Sequence, residues 1–327
     1  MSYATALGRG ATARPVRRPS AALRWFAVLT LVGLYAVVVL GFLDTATNSA
    51  LGCGRSFPLC DGRFFPAPTL TSVIEWTHRV VSAFVGVLVA ALAVWAWLEA
   101  RNSAVARALA AIGLGFLVVE SAVGALAVLS PEPAAVVALH LGIALTSFGA
   151  VAALAAALWR PGAAPPQGDE SPSMEGWRRR LWWVLAFTYA VVYLGALVAQ
   201  MDAGPACGGW PLCQGGVVPA HWSVPVAVDY VHRLVALGAL GVYAGLVRMA
   251  RPLRGLRPDL YRGAHAVFGL SVLMAGTGAY VALSGVSLVS TMVHVALMTL
   301  LFGTMAYLCA FSLPARAAAA PRGAEGR

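Results

Sequence analysis

Four histidines, His78, His140, His232 and His294, stand inside apolar stretches long enough to cross a bilayer, and 62 residues separate the members of each pair, His78/His140 and His232/His294. A titratable ring in hydrocarbon is costly and is normally kept for a ligand, a proton path or a metal. A duplicated pair therefore suggests two similar sites. A lone histidine in a span is usually a packing or hydrogen-bonding residue, but four at equivalent places point to ligation. Imidazole suits Zn, Cu and Fe alike. Two rings facing each other across a four-helix bundle, without added carboxylates, fit the two axial positions of a heme iron. His221 and His265 fall outside the pattern and are assigned no role.

The elements that must position these rings are membrane spans. Of 327 residues 60% are hydrophobic and 11% charged, too apolar for a soluble domain. The formal net charge of +10, carried by 23 cationic residues that are all arginine, does not indicate nucleic acid, because the arginines collect in alternate loops between apolar runs. Runs of roughly 20 apolar residues predict spans at 24 to 43, 73 to 98, 105 to 129, 134 to 158, 181 to 200, 225 to 249, 262 to 284 and 287 to 313. The positive-inside rule then puts both termini in the cytoplasm of a cell-membrane protein. The first run is longer than a signal-peptide core and has a counterpart in the fifth, so it reads as a retained helix.

An offset of 154 carries Gly41 to Gly195, Cys53 to Cys207, His78 to His232, Arg79 to Arg233, Gly124 to Gly278, Ser130 to Ser284 and His140 to His294; Cys60 pairs with Cys213 at 153. Four spans per unit leave both in one orientation, so the expected fold is all-α, with eight transmembrane helices forming two four-helix bundles in a parallel repeat. The expected domains are an N-terminal arm (1–23), a first half (24–159), a linker rich in Pro, Gly and charge (160–180), a second half (181–313) and a tail (314–327). All four histidines then share one depth, near the outer leaflet. Cys53 and Cys60 fall in one outer loop, and Cys207 and Cys213 in another. Oxidising surroundings favour disulfides there, one within each loop being the simplest pairing. Free thiols or a zinc site are the alternatives, although the spacing is wider than usual for zinc ligands. Cys309, deep in the last span, reads as a small buried apolar residue.

Two acids share these spans. Glu75 precedes His78 by three residues, so both lie on one helical face, and its repeat equivalent is Asp229. A carboxylate favoured by a helix N-terminus is the rival reading. Glu120, well inside the third span, is a second candidate, as proton relay or hydrogen-bond partner, and its counterpart is Met274.

Taken together these residues resemble the heme A synthase family over nearly the whole chain. Cys207-Gly-Gly-Trp-Pro-Leu-Cys213-Gln-Gly is similar to the family's C-x-x-W-P-L-C-x-G pattern, and Glu75-Trp-Thr-His78-Arg79 to its E-x-x-H-R. The first loop, Cys53-Gly-Arg-Ser-Phe-Pro-Leu-Cys60-Asp-Gly, departs by one extra residue and by lacking the tryptophan, and no arginine lies between Gly41 and Cys53. The resemblance implies an oxidase acting on the C8 methyl group of heme O, through successive hydroxylations to a gem-diol that loses water to give the formyl group of heme A. It implies that the first half holds the substrate heme with His78, His140 and the catalytic Glu75. The second half would hold a permanent heme b with His232 and His294. A heme O synthase neighbour, a quinol or other electron donor and a homo-oligomer are the partners expected. The alternative from another class is a cytochrome b-like electron carrier or quinol oxidoreductase. Such carriers usually space their hemes across the membrane, whereas these four histidines share one depth. A transporter fits less well, because few acids and no lysine line the spans.

Overall fold

The computed structural model describes residues 18–101, 103–131, 133–160 and 172–312. Among these the chain is all-helical apart from two isolated bridges in the cysteine loops: α1 (Ala21–Ala46), α2 (Leu70–Glu99), α3 (Ala104–Leu129), α4 (Ala134–Trp159), α5 (Pro172–Gln200), α6 (Val224–Ala250), α7 (Pro258–Leu283) and α8 (Leu288–Ser312). Each is long and apolar enough to satisfy its own backbone across a bilayer, so the protein is a multi-pass membrane protein with eight candidate spans. Side-chain caps set several starts: the hydroxyls of Ser20, Thr69, Ser103 and Ser223 accept from the N–H groups of Leu23, Ser72, Ala106 and Val226.

Seven helices begin and end within a few residues of the expected spans. The exception is α5, which starts at Pro172 rather than near 181. Met174, Trp177 and Leu181 recur at helical spacing and are buried with Leu253, Leu260, Met305 and Leu308. That first part is amphipathic, with Arg178 to Arg180 among its apolar residues, so a search for uniform hydropathy stops short of it. The expected linker is thus helical from Pro172 onward. Its segment 161–171 lies outside the described residues, as do 1–17 of the expected arm and the whole of the tail.

The helices pack as two rings. α1 contacts α2 and α4, and α3 contacts α2 and α4; α5 to α8 repeat the arrangement, and the rings meet chiefly through α4 with α8 and α5 and through α1 with α8. α4 and α8 are the inner pair, 61% buried along their spans where no other helix exceeds 28%. Their crossing is reciprocal. A Cβ at Gly149 would stand 3.4 Å from the Phe302 ring, and one at Gly303 only 2.8 Å from the Phe148 ring. Small residues let transmembrane backbones approach closely, which supplies the packing that hydrophobicity cannot supply between helices in lipid. At the end away from the cysteines, Arg160 after α4 reaches Asp259 on α7 at 2.5 Å and Tyr307 on α8 at 2.6 Å, its guanidinium 3.8 Å above the Phe311 ring. Arg257 joins the same carboxylate and the Phe311 carbonyl.

Candidate functional site

The site is built downward from the two cysteine loops. Disulfides close each loop on itself, Cys53 to Cys60 and Cys207 to Cys213. Matching bonds fold both: Asp61 and Gln214 donate N–H to the Cys53 and Cys207 carbonyls at 3.1 and 2.8 Å, and Cys60 and Cys213 pair with Arg63 and Gly216. Phe57 takes the place of Trp210 before the shared Pro-Leu-Cys, so the extra residue of the first loop is absorbed ahead of it.

An acid on the next helix holds each loop down. Glu75 is fully buried and accepts from the Cys53 N–H at 2.6 Å and from the Arg79 guanidinium one turn on. Asp229 does the same with Cys207 at 3.3 Å and Arg233 at 2.8 Å. The two arginines continue into the loops, Arg79 donating to the Ser56 and Leu59 carbonyls and Arg233 to that of Gly209. A buried carboxylate with both oxygens engaged is a clamp first, and neither acid is a mere helix-end charge.

Below the clamps come the histidines. His78 and His232 lie eight residues after Leu70 and Val224, the first residues of α2 and α6; His140 and His294 lie six after Ala134 and Leu288 on α4 and α8. His78 is within electrostatic reach of His140, and His294 of His232. Each ring rests on a glycine of the neighbouring odd-numbered helix. A Cβ at Gly41, Gly124, Gly195 or Gly278 would stand 3.1, 3.0, 2.9 or 3.3 Å from Cε1 of His78, His140, His232 or His294. Main-chain carbonyls one turn before three of these glycines, at Glu120, Val191 and Met274, approach the rings. Nδ1 of His78, His140 and His232 is nevertheless buried without a hydrogen bond of normal geometry. Four half-buried imidazoles, each with Cε1 against a glycine and three with a buried Nδ1 that lacks a hydrogen bond, are poorly explained by packing and suit ligation. His221 is exposed in the second cysteine loop, and His265, exposed on α7, bonds the Tyr261 carbonyl; neither belongs to the site.

His232 and His294 line one cavity of about 430 Å³ among α5 to α8, with Asp229, Arg233, Trp210, Tyr243, Met274 and Met298 on its walls. Such a volume falls within the ~300 to 1,000 Å³ of cofactor sites. Phe42, Ala46 and Leu141 from the first four helices close its side.

Several site residues escaped the sequence reading. The four glycines were visible as repeat equivalents, but nothing in sequence says that they touch imidazoles. Thr277 holds Nδ1 of His294 at 3.0 Å, where the first four helices have Val123. Asp44, at the end of α1, is 8% exposed with an unpartnered Oδ1, within electrostatic reach of Glu75; its counterpart is Val198. A periodicity count that marked Asp44 as a charge inside an apolar run would have found it. Glu120 Oε1 stands 3.6 Å from Nε2 of His140.

A family described as cytochrome oxidase assembly protein, COX15-CtaA, matches residues 67–306. The chain is 36% identical over 296 residues to the heme A synthase of Symbiobacterium thermophilum, covering 90% of this chain and 96% of that one. It is 34% identical over 290 residues to the heme A synthase of Bacillus licheniformis (88% and 94% covered) and 34% over 302 residues to that of Geobacillus kaustophilus (90% and 93%).

Proposed function

The chain belongs to the COX15-CtaA family of heme A synthases, and from that premise we propose how its two histidine pairs divide the work. The protein is a membrane-bound oxidoreductase that converts heme O to heme A. In our reading His78 and His140 take heme O, the substrate, with Glu75 beside it as the catalytic acid, and His232 and His294 hold a permanent heme b. The observation that carries this division is the distribution of acids. The first four helices set Asp44, Glu75 and Glu120 at places where the last four have Val198, Asp229 and Met274. Turning a methyl group into a formyl group breaks C–H bonds and moves protons at the site, which positioned acids can carry, whereas a heme that only relays electrons needs no such groups.

Heme b, when bound, supplies one-electron redox capacity, and the protein supplies position and electrostatics. The chain's own contribution follows from the geometry. Each glycine seat leaves room for the Cε1 edge of its ring, where a Cβ would stand 3.3 Å or less away. Arg233, on the cavity wall, and Arg79, its equivalent, put a cation near the outer mouth of each site, suited to carboxylate side arms of a porphyrin. Apolar walls such as Met298 and Leu301 exclude water.

The same reading gives two halves, 24–159 and 181–313, related by an axis along the membrane normal, with both termini cytoplasmic and the cysteine loops outside. The reciprocal Phe148–Gly149 and Phe302–Gly303 crossing, 154 residues apart, supports the axis, and the arginines at the end opposite the cysteines support the orientation. A heme O synthase neighbour, a quinol or other electron donor and a homo-oligomer remain part of the proposal. The test is pigment extraction from cells that make heme O, with and without this protein. Heme A should appear only with it, and a chain that bound heme b yet left heme O unchanged would act as an electron carrier alone.

A further inference from the structure

The two inner histidines are served differently on their two ring nitrogens. At His294, Thr277 engages Nδ1 at 3.0 Å, and the side chain of the neighbouring Met274 offers only a thioether to the cavity wall. At His140 the arrangement is reversed. Val123, in the place of Thr277, cannot bond Nδ1, which is buried and unsatisfied, while Glu120, in the place of Met274, brings Oε1 to 3.6 Å from Nε2. Both side chains of this second pair are largely buried, at 24% and 14% exposure, so the carboxylate meets the imidazole where water screens little.

We propose that Glu120 competes with iron for Nε2 of His140, which makes the first-half site one that releases its heme, whereas Thr277 and Met274 leave His294 oriented and uncontested. The inference rests on the reading that the first half binds the heme that must turn over. A substrate site has to exchange heme O for the next molecule once heme A is made, and a permanent site must not. An imidazole held by its Nδ1 is pre-oriented, as histidine ligands usually are. An imidazole free at Nδ1 and shared with a carboxylate loses part of its affinity to that contact. Glu120 is a positioning residue in this account, acting on the ligand and not on the methyl group.

The test is Glu120→Met, which installs the second half's residue, alone and with Val123→Thr; Glu120→Gln keeps the size with a weaker contact. Purified full-length protein carrying its hemes is mixed with apomyoglobin as acceptor, and transfer is followed by extracting pigments and separating heme O and A from heme b. Glu120→Met should slow the loss of heme O and A by about tenfold, the scale of one lost competing polar contact. The double variant should slow it further, Glu120→Gln less, and heme b loss should not change. Unchanged transfer of every pigment in Glu120→Met and Glu120→Gln would overturn the competition and leave the assignment of halves untouched. Slowed loss of heme b, with heme O and A unaffected, would overturn the assignment of halves and the proposal with it.

Discussion

Around its two cysteine loops the molecule repeats itself nearly bond for bond: a disulfide, an acid accepting from the first cysteine's N–H, and an arginine one turn on that reaches back to loop carbonyls. A few residues away, where the imidazoles sit, the halves part company. Asp44, Glu120 and Val123 in one become Val198, Met274 and Thr277 in the other. The shared part closes the cysteine end around each pair of histidines, which in the proposed division both hemes would need. The divergent part includes the side chains beside the ring nitrogens of His140 and His294, where under the proposed division a substrate and a cofactor would make different demands. A duplicated scaffold can thus be specialised by a handful of side chains that bear on its ligands.

The comparison breaks most completely at the histidines. His232→Ala and His294→Ala should each abolish the low-spin heme b spectrum of the purified protein, while His78→Ala and His140→Ala should keep it and lose heme A formation. A normal b-type spectrum in both His232→Ala and His294→Ala would place the permanent heme elsewhere.

Next in size is the contrast between the clamping acids. Glu75→Gln and Asp229→Asn each neutralise a buried partner of an arginine and weaken one loop clamp, so their structural costs should be alike. The excess loss in Glu75→Gln measures chemistry, and a positioned acid–base group contributes typically about 10² to 10⁴ in rate. Glu75→Gln is expected to retain heme b yet make little heme A, with a hydroxylated pigment accumulating, while Asp229→Asn keeps measurable activity. Equal heme A yields from the two variants would reduce Glu75 to its clamp.

A third prediction grades the glycine seats. Alanine at Gly195 or Gly124 forces contact at 2.9 or 3.0 Å, and at Gly278 only 3.3 Å; overpacking costs typically about 1 to 3 kcal/mol. Gly195→Ala should lower heme b content clearly and Gly278→Ala slightly, whereas Gly124→Ala should spare heme b and impair heme A production. Heme-to-protein ratios decide it, and equal loss of heme b from Gly124→Ala and Gly195→Ala would mean that the seats act on the fold and not on their own rings.

The smallest effect is expected at the disulfides. A bridge closing so short a loop contributes at most about 3 kcal/mol, so Cys207→Ser with Cys213→Ser should lower thermal stability modestly. Non-reducing peptide mapping should find each bridge within its own loop, and linkage between loops would contradict the repeated architecture.

The sequence by itself determined the number of helices, because a bilayer demands about 20 apolar residues for every crossing. The equal spacing of the histidines was legible there as well, because duplication leaves equal spacings. The cysteine loops and the Glu75 motif were legible for the same reason, being short-range patterns. It misjudged the start of α5, where burial follows helical periodicity rather than mean hydropathy. Only the tertiary structure decided which glycine lies against which imidazole, that Thr277 bonds Nδ1 of His294, that Glu120 meets His140, and that Phe148 and Phe302 cross against each other's neighbouring glycines. Those contacts depend on how each helix is rotated and crossed against its neighbour. In an almost uniformly apolar chain hydrophobic periodicity cannot report that rotation, and in lipid it is set by close packing of small and large side chains.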